Sequence, residues 1–289
     1  MWTTEVAETA RGPVPYLTHG EGDPVVCWHG FPDLPHTYGL VAERLAAKGW
    51  KVVAPYLRGF HPGYQSPGAY YDAASRTADG EAFLEAYSPD AAVPVVGHDW
   101  GASLVYGLTA AHPERVTRAV TMALPPIAAL ASHVFTPAQL QRSFYIWFFQ
   151  MPGLPEAILN TSHGGALLDH FWRTWSPRVA DAAHLPEVRK ALSDTHVVEA
   201  ALGYYRGLFQ DAFMDPELAG LRELAAGPPR VPILLLGGDQ DGCLGVEALR
   251  DATPFLHDGE VRVVEGTGHF LHLEEPDLVA DAIDGWLRA

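Results

Sequence analysis

The sequence predicts an α/β fold, a mostly parallel, doubly wound sheet with an inserted helical cap. Three observations carry this expectation. Short β-branched runs alternate with helix-like stretches over residues 1–127. Residues 128–222 then read as helical and aromatic, with no clear strand. The alternation resumes at Pro232 and closes on an amphipathic stretch, Asp277 to Leu287. Strand, helix, strand in this rhythm implies parallel pairing with helices on both faces.

Each element can be justified in order. Pro24 to Trp28 is an apolar run that stops at His29-Gly30. Tyr38 to Lys48 has helical spacing and ends at Gly49. Lys51 to Pro55 and Pro94 to Gly97 are further strand-like runs, the latter passing directly into the helix-like segment ended by Pro113. Arg118 to Leu124, Pro232 to Leu236 and Val261 to Glu265 complete the strands read from the sequence. The expected layout is therefore core 1–127, helical cap 128–222 and core 223–289.

Composition narrows the function. The chain has 289 residues, 48% of them hydrophobic and 19% charged, enough apolar material for a large core. No apolar run approaches the roughly 18 residues of a membrane span, and Met1 to Arg11 lacks the apolar core of a signal peptide. The net charge of −16 and the absence of basic clusters count against nucleic acid. Two distant cysteines, Cys27 and Cys243, make no ligand pattern. Neither a disulfide framework nor a cysteine-held metal is expected, and a cytoplasmic location is the default.

The chemistry centres on Gly97-His98-Asp99-Trp100-Gly101, where a strand meets a helix. Small residues on both sides of Asp99 suit a sharp turn that pushes it above the sheet edge, in the form of a nucleophile elbow. An isolated aspartate here would be read as a helix N-cap; the glycines and two distant partners favour a nucleophile. A carboxylate that attacks a saturated carbon forms an ester, which water can reopen at the carbonyl; a serine would form an inert ether. Suitable leaving groups are a halide or an epoxide oxygen. His269, in the loop Gly266-Thr267-Gly268-His269, is the expected general base, with His272 ranked lower. Asp241, after Gly237-Gly238, is the expected orienting acid, with Asp239 as the alternative. The N–H groups of Phe31, in His29-Gly30-Phe31-Pro32, and of Trp100 are the expected oxyanion donors.

Together these motifs resemble the α/β-hydrolase fold enzymes, and within them the epoxide hydrolases, with haloalkane dehalogenases as near relatives. HGFP (29–32), GHDWGA (97–102) and GTGHFLHLEEPD (266–277) carry the resemblance, which spans about Tyr16 to Leu287. It implies that Tyr145 and Tyr205 are the ring-opening cap tyrosines, Tyr204 remaining a substitute for the second. It departs at Tyr56-Leu57-Arg58-Gly59, where many relatives carry an aspartate first.

The expected enzyme needs no cofactor and no metal. Its partners are water and a small, neutral, hydrophobic epoxide, held by an apolar pocket that includes Trp147, Phe148, Trp172 and Trp175. Neither a nucleic acid nor a membrane is expected as a partner. A homodimer is compatible with the sequence, which does not fix the oligomeric state. The rival readings are a haloalkane dehalogenase, for which Trp100 offers an indole N–H, and a ligand-binding receptor, which has no need of an intact Asp–His–Asp set.

Overall fold

The structure is a computed structural model that describes residues 1–64, 70–179 and 182–289. Among these residues eight strands form one sheet: β1 (Thr3–Thr9), β2 (Gly12–His19), β3 (Asp23–Trp28), β4 (Trp50–Pro55), β5 (Val93–His98), β6 (Val116–Met122), β7 (Ile233–Gly238) and β8 (Glu260–Val264). Their spatial order is β1-β2-β4-β3-β5-β6-β7-β8. β1 and β2 pair antiparallel, as do β2 and β4, and all other pairs are parallel.

The central strands are apolar on both faces because helices cover both faces. Val26, Val53, Val95, Ala119 and Ile233 point into one buried layer; Val25, Val52, Val96, Val120 and Leu234 point into the other. The first layer includes Phe83 of helix α2 (Ala73–Tyr87) and Leu104 of helix α3 (Trp100–Ala111). The second includes Leu45 of helix α1 (Gly39–Ala47) and Ile283 of the closing helix, Pro276–Leu287.

The hairpin β1–β2 was not read from the sequence. β1 is TTEVAET at the sheet edge, exposed or half-buried throughout, so it lacks the apolar run that marks an inner strand. Helix α2 was also missed, since its buried positions include Ser75, Arg76, Thr77 and Gly80.

Between β6 and β7 the described residues form helices and 3-10 turns and no strand. Three of these helices matter below: Phe144–Phe148, Ser162–Trp175 and Thr195–Arg206. They meet the loops that follow β3 and β4: Trp172 Nε1–H donates to the Pro32 carbonyl at 3.3 Å, and the Tyr204 hydroxyl donates to the Arg58 carbonyl at 3.1 Å. Among the described residues no helix is long and apolar enough to cross a membrane.

Candidate active site

Asp99 sits between β5 and α3 with φ +52° and ψ −116°. A non-glycine residue held there is strained, and such strain persists only where surrounding packing enforces it. The two flanking glycines permit it. A Cβ on Gly97 would lie 2.3 Å from the Gly101 carbonyl oxygen, and one on Gly101 2.1 Å from that of Trp28. The Asp99 side chain makes no capping bond to α3, so the ordinary reason for an aspartate before a helix does not apply.

The two carboxylate oxygens have different surroundings. Oδ1 accepts the Phe31 N–H at 2.8 Å, and the neighbouring Trp100 amide also favours the ionised carboxylate. Gly30 makes that approach possible, because a Cβ there would lie 2.4 Å from Asp99 Cβ and 2.5 Å from Oδ1. Oδ2 faces His269 Nε2 at 3.7 Å. Burial raises the Asp99 carboxyl above its ordinary value, against the lowering effects of His269 and the two amides.

His269 is held on three sides. Its Nδ1 lies 2.9 Å from Asp241 Oδ2, its backbone N–H donates to the Trp175 carbonyl at 2.9 Å, and its carbonyl lies 2.9 Å from His98 Nε2. Burial alone would lower its pKa, but Asp241, followed by Asp99, outweighs this and the imidazole is raised. Asp241 Oδ1 is fixed by the amides of Cys243 and Leu244, at 2.6 and 3.0 Å, leaving Oδ2 for the imidazole. Asp239 points elsewhere, accepting the Gly266 N–H at 2.6 Å. His272 is turned away, with Nε2 2.6 Å from Thr37 Oγ1. His98 is pushed down to about 3 by burial and is neutral, so its Nε2–H donates to His269.

The helical segment supplies the opposite wall. Tyr145 and Tyr205 are buried with ring centres 5.5 Å apart. Tyr205 also meets Trp100 at 5.1 Å and Phe31 at 5.4 Å. The Tyr145 hydroxyl lies 3.3 Å from Cys243 Sγ. Burial, with the nearby Asp99 charge, holds both phenols well above their ordinary value, so both stay protonated. Tyr204 faces the other way, toward Arg58.

The four aromatic residues expected around the substrate are placed differently from one another. Trp175 contacts the rings of His269, at 5.1 Å, and Tyr145, at 5.2 Å. Trp172 lies one layer back, stacked on Phe270 at 3.8 Å. Phe148 is half-buried against Phe149. Trp147 is 40% exposed and stacked on Phe209, outside the group packed around Asp99. Phe31, Phe149 and Phe171 stand in that group instead; all are fully buried, and each contacts Tyr145, Tyr205 or both. Their apolar character was visible in the sequence, but which aromatic residues face inward was not.

Asp241, Cys243 and one His269 nitrogen lie within 4.8 Å of one another, the one such donor group among the described residues. All three already have partners: Asp241 and His269 bond each other, and Cys243 meets the Tyr145 hydroxyl.

Residues 23–276 match the α/β-hydrolase fold family. Epoxide hydrolase A of Mycobacterium tuberculosis is 30% identical to this chain, over 91% of this chain and 89% of its own length. The chain belongs to the epoxide hydrolase family of α/β hydrolases. The AB hydrolase superfamily protein YfhM of Bacillus subtilis is 24% identical over 93% of this chain and 91% of its own. The crystal structure of epoxide hydrolase A from Mycobacterium thermoresistibile is 25% identical and superposes with a TM-score of 0.76, covering 100% of this chain and 99% of that one. This α/β hydrolase therefore has its elbow, its histidine loop and its acid loop at the C-terminal ends of β5, β8 and β7, where ligands meet open parallel sheets.

Proposed function

We propose that the chain is an epoxide hydrolase that opens a small, neutral, hydrophobic epoxide to a vicinal diol. The observation that carries this is the Asp99 carboxylate, with Oδ1 bonded to the Phe31 amide and Oδ2 facing His269, beneath a pair of protonated tyrosines. Residues 128–222 then act as the cap, and no cofactor takes part.

In the first step Oδ2 attacks one epoxide carbon. The carbon–oxygen bond breaks, and the ring oxygen takes a proton from Tyr145 or Tyr205. Because burial keeps both phenols protonated, they serve as donors to an alkoxide, which is far more basic than a phenolate. In the second step His269 takes a proton from water, and the water oxygen adds to the Asp99 carboxyl carbon. Negative charge then collects on Oδ1, the oxygen already held by the Phe31 N–H, with the Trp100 N–H as second donor. Collapse breaks the bond between the carboxyl carbon and Oδ2, His269 returns its proton to the departing diol oxygen, and the second water proton, left on the new carboxyl group, restores the tyrosine. Asp241 fixes the imidazole tautomer and stabilises its cation.

The test is a trapped intermediate. His269→Gln, incubated with an aryl epoxide, should gain the mass of one substrate, and peptide mapping should place the gain on Asp99. Wild-type turnover with no adduct on Asp99 in this variant would remove the covalent step.

A second reading is haloalkane dehalogenation, which one observation favours. The Trp100 indole N–H is buried and has no acceptor, so it could receive a halide. Replacing both tyrosines by phenylalanine separates the two readings, because a departing halide needs no proton.

A further inference from the structure

Behind Trp100, on the side away from the candidate catalytic dyad, lies a buried cation that the reaction above does not use. Arg76 of α2 is 2% exposed. Its guanidinium carbon stands 4.6 Å from the centre of the Trp100 ring and 5.2 Å from that of Tyr204. Nη1–H donates to the Tyr71 carbonyl at 2.6 Å, Nη2–H donates to Ser103 Oγ at 3.1 Å, and Nε–H has no acceptor. Ser103 belongs to the first turn of α3, where its N–H donates to the Asp99 carbonyl at 3.1 Å. Arg76 therefore grips the nucleophile-bearing turn at both Trp100 and Ser103.

Its charge has no direct carboxylate partner. Among the described residues no carboxylate forms a salt bridge with it. The two acids nearest along its own helix are engaged elsewhere: Asp79 by Arg11 and Arg58, and Asp72 by Arg222. A buried arginine without a direct carboxylate partner is costly, and packing alone does not require one. Asp72, Asp99 and Asp79 all favour its charge, in that order, and of the three only Asp99 has no arginine partner of its own. Stacking on Trp100 and Tyr204 gives part of the compensation, as a desolvated cation–π contact.

We propose that Arg76 is a positioning residue of the nucleophile: its buried guanidinium fixes Trp100 and Ser103 and lends the Asp99 carboxylate a positive charge that no salt bridge cancels. The inference rests on Asp99 being the nucleophile. Other titratable groups also face Asp99. His269 favours the ionised carboxylate, Asp241 opposes it, and Tyr145, Tyr205 and Cys243 are neutral neighbours. Facing Arg76 are Asp72, Asp79, Tyr71 and Tyr204. The guanidinium helps His269 and the two amides offset the burial that pushes the Asp99 carboxyl up, so a larger share of nucleophile is ionised at mildly acid pH.

The experiment titrates Asp99 directly. Protein labelled with 13C at the aspartate side-chain carboxyl is followed by NMR against pH, and the Asp99 signal is assigned by its loss in Asp99→Asn. In Arg76→Met the midpoint should move to higher pH, and in Arg76→Lys it should stay close to wild type. The acid limb of kcat/KM for an aryl epoxide should move the same way, with kcat/KM lowered about tenfold on that limb. If Arg76→Met does not fold, Arg76→Gln takes its place. Equal Asp99 midpoints in wild type and the folded neutral variant overturn the proposal, whatever happens to thermal stability. The titration needs no substrate, so a failure to open epoxides would remove the proposed function without deciding the role of Arg76.

Discussion

The amide of Phe31 and the carboxylate of Asp99, 68 residues apart in the chain, are joined by a 2.8 Å hydrogen bond. The oxygen that would carry the negative charge during ester hydrolysis is thus already bonded to one of its stabilising donors before substrate arrives. Gly30 should be intolerant of change, because a methyl group there collides with that carboxylate. Gly30→Ala is expected to lower kcat by about a hundredfold or more, the scale of losing an oxyanion donor. A crystal structure of the variant should show Asp99 displaced; unchanged kcat would mean that the 2.8 Å contact has no part in the reaction.

Tyr145 and Tyr205 should divide the work of proton donation. Each single change to phenylalanine is expected to lower epoxide opening by about ten- to a hundredfold, and the double change to abolish it. Stopped-flow measurement of ester formation reads this step alone. Full activity in the double variant would assign the proton to another donor.

The two half-reactions should respond differently to acid. His269 must be neutral to take a proton from water, and in the ester, where Asp99 carries no charge, Asp241 remains to favour its cation against burial. Ester hydrolysis should therefore fall about tenfold for each pH unit below the His269 value. Ester formation needs ionised Asp99 and should persist to lower pH. Rapid-quench mass spectrometry at pH 5 and pH 8 should find ester accumulating at the lower pH; equal levels at both would count against His269 as base.

A second histidine ties the helical segment to the sheet. His184 Nε2 lies 2.9 Å from Oδ1 of Asp33, which is fully buried just beyond Phe31 and Pro32. His184 is raised despite its burial because Asp33 is beside it, and Asp33 is lowered despite its burial because His184 is beside it. The stabilisation from His184 is full below its ordinary pKa and is lost as pH rises through the raised folded value. That from Asp33 is present above its ordinary carboxylate value and is lost as pH falls through the lowered one. His184→Gln should therefore cost on the order of 3 kcal/mol near pH 6 and clearly less at pH 9. Thermal melts at the two pH values check the sign.

Most of the site could be read in the sequence because its parts stand at strand ends marked by glycine. Asp99 and Asp241 follow buried strands and His269 follows the edge strand β8, each with glycine close by, so their placement follows from the alternation itself. The aromatic wall was less legible. Trp147 and Tyr145 are two residues apart on one short helix, so they emerge on different sides, one outward and one inward. A helix so short, with four aromatic residues and one isoleucine, carries no polar face to orient it. Arg76, Asp33 and His184 were not singled out, because a buried charge leaves no mark in composition when its partners are distant in sequence. β1 was missed for a related reason: an edge strand with no buried face has no periodicity to detect.

The asymmetry around Asp99 has an isotopic consequence. With Oδ1 tethered to the Phe31 amide, a carboxylate acting as the nucleophile would keep its orientation between turnovers, so the same position would be consumed and refilled from solvent every time. Each diol would then carry an oxygen that entered the protein one cycle earlier, and in heavy water labelled with 18O the first product released by each molecule would be unlabelled while every later one carried the label.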